Sequence, residues 1–310
     1  MLKYLIVLLD DTSASFCHYQ NRKTEKRLIS LDDLKAGILF AMKQNLVIQF
    51  VYPLYELPVE YKERIETIDH KKIMPSEAEH AAEADAVVFD SCDSFTEEKM
   101  DAITGKVFIV RVGKQELFRS GETLKKLADK DKRLNIVLTD IETFTEKDDE
   151  RYKNWLSDLC SGLAESYRSG RQPQINLLTD RITLDKMNNC NAGVESVTLA
   201  PNGKFYVCPA FYLDDETNSI GTPETGIELK NRQLYRLAYA PLCRKCDAYQ
   251  CKRCVWLNRK TTLDVNTPSH EQCVVAHLER NASRDLLVEL TPAGYFTGME
   301  IPEIDYLDPF

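Results

Sequence analysis

The sequence predicts an α/β protein in two parts of different character. In residues 1–180, short apolar runs alternate with helical patterns, as in proteins built on a mostly parallel sheet. From residue 181 onward the chain has a hairpin signal, a dense group of cysteines and one long helical pattern. We therefore expect an α/β domain at 1–180, with its sheet either open or curled into part of a barrel. A small cysteine-rich α+β domain is expected at 181–310.

Six runs in the first part have the length and apolar content of strands. The clearest is Lys3–Leu9, which the acidic residues Asp10 and Asp11 close. The predicted strands are 3–9, 46–51, 86–89, 106–112, 135–139 and 175–178.

Helical periodicity occupies several of the intervening segments. Ser30 has the position and the hydroxyl of a helix N-cap. The apolar face of the helix that follows it is predicted to consist of Leu34, Ile38, Leu39 and Met42. Further helices are predicted at 76–84, 96–103, 115–128 and 146–167.

The second part opens with a hairpin signal. Pro201-Asn202-Gly203 lies between two alternating runs, Ser196–Ala200 and Lys204–Cys208, and Asn-Gly between such runs is among the stronger short-range hairpin signals. Helical patterns follow at 231–238 and 273–290.

Charge and hydropathy exclude several classes of protein. The formal net charge of -9 argues against a general nucleic-acid binder. No run approaches the roughly 20 apolar residues of a membrane helix, and the apolar run at 4–9 is too short for a secretory signal. We therefore expect a cytoplasmic protein. In a reducing cytosol, closely spaced cysteines mark metal or redox chemistry more often than structural disulfides.

Seven cysteines have a spacing that indicates metal binding. Four of the ten cysteines lie between Cys243 and Cys254, as two C-x-x-C pairs separated by four residues. A structural zinc site usually holds its pairs about 12 to 20 residues apart, so these pairs are better suited to separate sites. All-thiolate ligation suits iron–sulfur clusters as well as zinc, and both remain open. The three other candidate ligands are Cys190, Cys208 and Cys273.

This spacing resembles the seven-cysteine SPASM domain. In that family the domain follows the barrel of radical S-adenosylmethionine (SAM) enzymes that modify peptides and proteins. Spacing within the four-cysteine group is one residue longer at two points in the family. The resemblance implies two auxiliary [4Fe–4S] clusters, with zinc as the alternative metal. It assigns Cys190, Cys208 and Cys254 to one cluster and Cys243, Cys246, Cys251 and Cys273 to the other.

Basic residues surround the four-cysteine group. Between Glu228 and Lys260 the chain has nine lysines and arginines against Glu228 and Asp247. Metal–thiolate sites are anionic, so these cations are expected to compensate their charge. A surface for an acidic peptide or a nucleic acid is the alternative interpretation.

The first part resembles a radical SAM barrel that has lost its SAM-cluster motif. In the family, C-x-x-x-C-x-aromatic-C follows the first strand and leaves one iron open to chelate SAM. Only Cys17 of the three cysteines is present, because Asp10 and Ala14 stand at the other two positions. The glycine-rich segment expected after the second strand is replaced by Gln49–Pro53. SAM is therefore not expected as a cofactor, and no catalytic residue can be assigned.

The chain as a whole, including its opening 1–11 and the run 45–53, is similar to the CXXX repeat peptide maturases. This resemblance implies maturation of a ribosomally made, cysteine-rich precursor peptide, as modifying enzyme or as essential partner of one. The rival hypothesis is a non-catalytic peptide-binding adaptor for a separate radical SAM enzyme, with a purely structural metal site. Zinc-stabilised nucleic-acid binding is favoured only by the local basic run and disfavoured by the overall charge. No nucleic-acid or membrane partner is expected.

Overall fold

The computed structural model describes residues 1–20, 22–94, 96, 98, 101, 106–128 and 133–303. The chain forms two compact units, each assembled from separate segments. The first unit comprises Met1–Ser15, Tyr19–Val88 and Cys190–Ala240, and the second comprises Phe16–His18, Phe89–Asn189 and Pro241–Phe310. The predicted division into 1–180 and 181–310 stays a prediction.

Six strands lie side by side in the first unit. They are β1 Tyr4–Leu8, β2 Val47–Val51, β3 His70–Pro75, β4 Ala86–Phe89, β8 Ser196–Leu199 and β9 Phe205–Tyr206. Their order in the sheet is β4-β3-β2-β1-β8-β9. Neighbouring strands from β4 to β8 are parallel, and β9 is antiparallel to β8. Strand β1 is buried from Leu5 to Leu8, as expected for a strand covered on both faces.

Three helices and a small ribbon complete the first unit. Helix α1 spans Leu31–Gln44, and its predicted cap is confirmed because the Ser30 hydroxyl accepts a hydrogen bond from the Asp33 N–H at 3.0 Å. The other helices are α2, Val59–Ile65, and α6, Pro209–Asp214. Strands β10, Gly221–Thr222, and β11, Gly226–Ile227, pair as an antiparallel ribbon.

The predicted Asn-Gly hairpin is confirmed. Gly203 lies in the left-handed region with φ of 73° and closes the turn by donating its N–H to the carbonyl of Ala200 at 3.0 Å. A Cβ atom at this position would stand 2.5 Å from a carboxylate oxygen of Asp33. The position therefore requires glycine both for its backbone conformation and for space.

Several local predictions for the first unit are wrong. Leu39 and Met42 are 44% and 62% exposed, so the buried face of α1 is Leu34, Gly37, Ile38 and Ala41. The segment 76–84 is not an α-helix and contains only the short 3₁₀ turn Ala81–Glu83. The helical pattern at 231–238 corresponds to two short 3₁₀ turns, Arg232–Tyr235 and Leu237–Tyr239. Strand β3 and helix α2 were not anticipated.

The second unit has three parallel strands in the order β7-β6-β5. They are β5 Val107–Val112, β6 Arg133–Leu138 and β7 Gln174–Ile175, so the strand predicted at 175–178 is shorter and begins one residue earlier. The helix predicted at 96–103 lies largely outside the described residues. The described helices of this unit include α3 Lys114–Ala128, α4 Glu146–Arg168, α5 Thr179–Thr183, α7 Val255–Thr262 and α8 His270–Leu290.

Helices α4 and α8 pack against each other in the second unit. A capping box starts α4, in which Thr145 and Asp148 each satisfy a backbone N–H of the other. A buried polar pair joins the two helices, because the Tyr152 hydroxyl donates to a carboxylate oxygen of Glu279 at 2.8 Å. Among the described residues, no helix combines the length and apolar content needed to cross a bilayer.

The buried carboxyl group of Glu279 predicts a pH-dependent stability. Burial raises its pKa from the ordinary value of 4.5 to about 7, although Tyr152 and Gln250 donate hydrogen bonds that oppose the shift. A raised acid pKa stabilises the fold fully below about pH 4.5, and this contribution is lost as the pH rises through about 7.

Glu279→Gln keeps an oxygen for Tyr152 and removes the titration. We expect the variant to exceed the native protein in unfolding free energy at pH 8 by up to about 3 kcal/mol, and to lose this advantage near pH 4.5. Urea denaturation at several pH values measures the difference. Parallel stability curves for the two proteins would contradict the assignment.

Candidate metal centre

Four of the predicted cysteine ligands line one cavity in the second unit. The cavity has a volume of about 40 Å³, and its lining includes Cys243, Cys246, Cys251 and Cys273. His277 lines the same cavity. This is the set that the SPASM resemblance assigns to one cluster, and metal binding by the set stays a prediction.

Tight turns place the cysteines of the two C-x-x-C pairs. Residues Cys243–Lys245 form a 3₁₀ turn, in which the N–H of Cys246 donates to the carbonyl of Cys243 at 3.2 Å. The N–H of Ala248 donates to the Sγ atom of Cys246 at 3.4 Å, and the N–H of Arg253 donates to the Sγ atom of Cys251 at 3.4 Å. Such N–H···S contacts favour the thiolate form, which is the form that binds metal.

Helix α8 contributes the remaining thiol and an imidazole. The Ser269 hydroxyl caps the helix by accepting from the N–H of Gln272 at 3.4 Å. Cys273 and His277 are four residues apart and therefore lie on one helix face. The Nε2 atom of His277 lies 3.3 Å from the Sγ atom of Cys246.

His277 is buried and neutral. Burial, with a further contribution from Arg280, lowers its pKa to about 4. Its Nδ1 atom is buried and has no hydrogen-bond partner among the residues that the structure describes. A neutral imidazole that approaches a cysteine sulfur can donate a hydrogen bond to the thiolate, which is how an outer group tunes a metal site.

Burial keeps the four thiols protonated, and their mutual repulsion adds to this effect. Burial raises the pKa of Cys243, Cys246, Cys251 and Cys273, in the last case to about 12. The charges of Cys243 and Cys246 raise the pKa of both Cys251 and Cys273 further. All four groups can ionise together at neutral pH only if a cation takes up the charge, as a bound metal does.

Buried arginines supply a compensating charge beside this cavity. Arg181, Arg253 and Arg280 are each less than a tenth exposed. Arg181 donates to a carboxylate oxygen of Asp247 at 3.0 Å and Arg280 donates to the same oxygen at 2.7 Å. Burial would raise the pKa of Asp247, but these guanidinium groups outweigh it and hold the pKa below its usual range.

Arg253 supplies positive charge directly beside the thiols. It hydrogen-bonds to Cys243 and opposes the rise in the pKa of that thiol, whereas Arg181 and Arg280 are engaged with Asp247. Four thiolates around Zn²⁺ or around a [4Fe–4S]²⁺ cluster have a net charge of about -2. A guanidinium group beside Cys243 would offset part of that charge, which fits an anionic metal–thiolate centre.

The described side chains do not form a ready single-ion site. In the described part of the chain, no three or more His, Cys, Asp or Glu side chains converge so as to hold a metal ion. The identity of the metal, an iron–sulfur cluster or zinc, stays a prediction.

The three other predicted ligands lie in different units. Cys190 is exposed and Cys208 immediately precedes helix α6, both in the first unit. Cys254 immediately precedes helix α7 in the second unit. The cluster assigned to these three cysteines stays a prediction.

The loop after β1 is organised by hydrogen bonds where the radical SAM family has cysteines. Asp10 is buried, and one carboxylate oxygen accepts from the N–H of Thr12 at 2.8 Å while the other accepts from the Tyr55 hydroxyl at 2.8 Å. Ala14 donates its N–H to the carbonyl of Tyr52 at 3.0 Å. In the second unit, the carbonyl of Cys17 accepts from the guanidinium of Arg111 at 3.1 Å.

Solved structures similar to this chain include those of anSMEcpe. The histidine-tagged protein with bound AdoMet matches with a TM-score of 0.59 and 12% identity over 94% of each chain. The native protein with bound AdoMet and the Cp18Cys peptide matches with a TM-score of 0.58 and 14% identity, over 94% of this chain and 98% of that one. Comparison with protein families and curated sequences finds no match.

This likeness confirms the predicted fold class. The chain has an α/β fold of the radical SAM type, and the likeness extends over nearly its whole length. At this identity the comparison bears on the fold alone. The expectation that SAM is not a cofactor is not borne out, because the neighbouring structures hold AdoMet.

Sequence reasoning missed most of the groups around the four thiols. Spacing pointed to the cysteines but not to His277, although His277 is four residues after Cys273. Nothing in the local sequence marked Arg181, which reaches Asp247 from a position 66 residues away. A polar network in the first unit was missed for the same reason: Arg27 donates to Asp11 at 3.0 Å and also contacts Tyr212 and Glu216.

Removal of one thiol from the cavity is expected to cause a loss of metal. We expect Cys246→Ser, prepared without oxygen, to lose about half of the iron and sulfide that two clusters would supply, and to unfold at lower denaturant because cluster binding stabilises the fold. Elemental analysis for iron, sulfide and zinc measures the first effect.

Cys160→Ser is the matched control. Cys160 is a buried thiol on α4 that donates a hydrogen bond to the carbonyl of Ala282 at 3.3 Å and does not line the cavity. It should retain full metal content. Equal metal in both variants, or stoichiometric zinc without sulfide in the native protein, would overturn the iron–sulfur assignment.

Proposed function

We propose that this protein takes part in maturing a ribosomally made, cysteine-rich peptide with CXXX repeats, as modifying enzyme or as essential partner of one. One observation supports the proposal most strongly: likeness to a radical SAM maturase over 94% of the chain, including structures with bound peptide. The four-thiol cavity adds a site suited to the auxiliary clusters of such proteins.

The proposal includes an iron–sulfur centre in the second unit. Cys243, Cys246, Cys251 and Cys273 would hold one [4Fe–4S] cluster, and Cys190, Cys208 and Cys254 would hold another. Such a cluster supplies one-electron transfer. Arg253 would neutralise charge at Cys243, and His277 would donate a hydrogen bond to Cys246. Zinc in the same cavity is the alternative.

The rival function is a non-catalytic peptide adaptor for a separate radical SAM enzyme. It is favoured by the loop after β1, where both carboxylate oxygens of Asp10 are already engaged by Thr12 and Tyr55. One thiolate in place of three cannot hold the cluster that cleaves SAM. The missing cluster bears on the cleavage of SAM and not on its binding.

The peptide class is tested with two synthetic peptides. A labelled peptide of four Cys-Gly-Gly-Gly repeats is expected to bind at least about tenfold more tightly than its Ser-Gly-Gly-Gly counterpart. Fluorescence anisotropy under anaerobic conditions measures both affinities. Equal affinity for the two peptides, or no binding of either, would exclude a cysteine-repeat substrate.

The catalytic question is tested with SAM. We expect the purified protein, supplied with AdoMet and dithionite, to form no 5′-deoxyadenosine above the background of a heat-inactivated sample. Cys17→Ala is the control, since it removes the only thiol left at the motif positions. Product that disappears in Cys17→Ala would contradict the prediction and support an intrinsic enzyme, whereas product formed equally by both would indicate contamination.

A further inference from the structure

A larger cavity lies in the first unit, beside the carboxyl ends of β2 and β3. Its volume is about 690 Å³, and its lining includes 52–57, which follow β2, and 77–80, which follow β3. Ligand pockets usually have volumes of about 300–1,000 Å³. In open α/β sheets they lie outside the carboxyl ends of the strands, as here.

The inner lining of this cavity is aromatic and apolar. Leu57 and Met74 are buried, and Tyr52 and Tyr55 are half-buried. Burial, with the charges of Glu66 and Glu83, raises the pKa of Tyr52, so its ring is a neutral phenol. An electron-rich ring beside carboxylates is a suitable surface for a cation.

Carboxylates outnumber cations around the cavity. Lys62 is paired with Glu56, and Lys72 lies 2.7 Å from Glu66 and 3.8 Å from Glu83. Two lysines and His80 therefore line the cavity together with five glutamates, and His80 lies 3.6 Å from Glu83 and 3.9 Å from Glu56. The five glutamates are Glu56, Glu66, Glu77, Glu79 and Glu83.

We propose that this cavity binds a lysine or arginine side chain of the peptide that the protein handles. The aliphatic stem would pack on Tyr52 and Met74, and the cationic end would lie near Glu79 and Glu83. Long basic side chains commonly combine an apolar stem with a charged end in this way. This assignment rests on the proposed peptide-binding function and adds a charge requirement to the substrate.

Binding of three short peptides tests the assignment. Labelled, end-capped hexapeptides that alternate glycine with lysine, glutamine or glutamate are titrated with the whole protein in about 50 mM salt, where surface charge is weakly screened. The lysine peptide should bind at least about tenfold more tightly than the others. Equal binding of all three peptides, or none of the lysine peptide, would overturn the proposal.

Variants locate the binding. Glu79→Gln with Glu83→Gln should weaken binding of the lysine peptide at least about tenfold. Glu60→Gln with Glu63→Gln removes the same charge from exposed positions of α2 outside the cavity and should change binding less than about twofold. Equal effects of the two pairs would mean a general charge effect, which would also overturn the proposal.

The two peptide experiments fail independently. If the cysteine-repeat peptide binds and the lysine peptide does not, the cavity assignment is wrong and the proposed function stands. If the lysine peptide binds through Glu79 and Glu83 while cysteine and serine repeats are not distinguished, the cavity assignment stands and the cysteine-peptide function fails.

Discussion

The placing of four thiols around one small cavity imposes the strongest physical constraint on the second unit. Each thiol is costly to ionise in a desolvated site, and neighbouring thiolates repel one another. Without a metal the four thiols would stay protonated. Three features hold this arrangement in place. They are the turns at the two C-x-x-C pairs, the start of α8 at Ser269, and the hydrogen bonds that Arg181 and Arg280 donate to Asp247.

The loop after β1 presents the opposite case. There the protein satisfies its polar groups internally, since Asp10 accepts hydrogen bonds from Thr12 and Tyr55 on its two carboxylate oxygens. The chain thus combines an α/β fold of the radical SAM type with a loop after β1 in which Asp10 and Ala14 make hydrogen bonds within the protein. Four of its ten cysteines instead line the cavity in the second unit.

The two cavities also differ in electrostatic character. The described lining of the cavity in the second unit contains the guanidinium group of Arg253 and no carboxylate, which suits an anionic metal–thiolate centre. The lining of the cavity in the first unit contains more carboxylates than cations, beside two tyrosines, which suits a cationic side chain. The net charge of -9 conceals this contrast, because it is a sum over the whole chain. Local charge therefore says more about partners here than the whole-chain value does.

The sequence by itself determined the elements whose signals are local. These include β1, the Ser30 cap, the Asn-Gly turn, α4, α8 and the cysteine spacing, because caps, turns and periodic runs depend on neighbours a few residues away. The sequence did not indicate strand β3, because only two of its six residues, Ile73 and Met74, have buried apolar side chains. Only the tertiary structure decided that Gly37 and Ala41 lie on the buried face of α1. It also decided that Cys251 and Cys273 line one cavity and that Arg181 donates a hydrogen bond to Asp247. Such contacts join residues far apart in the chain, and no local pattern encodes them.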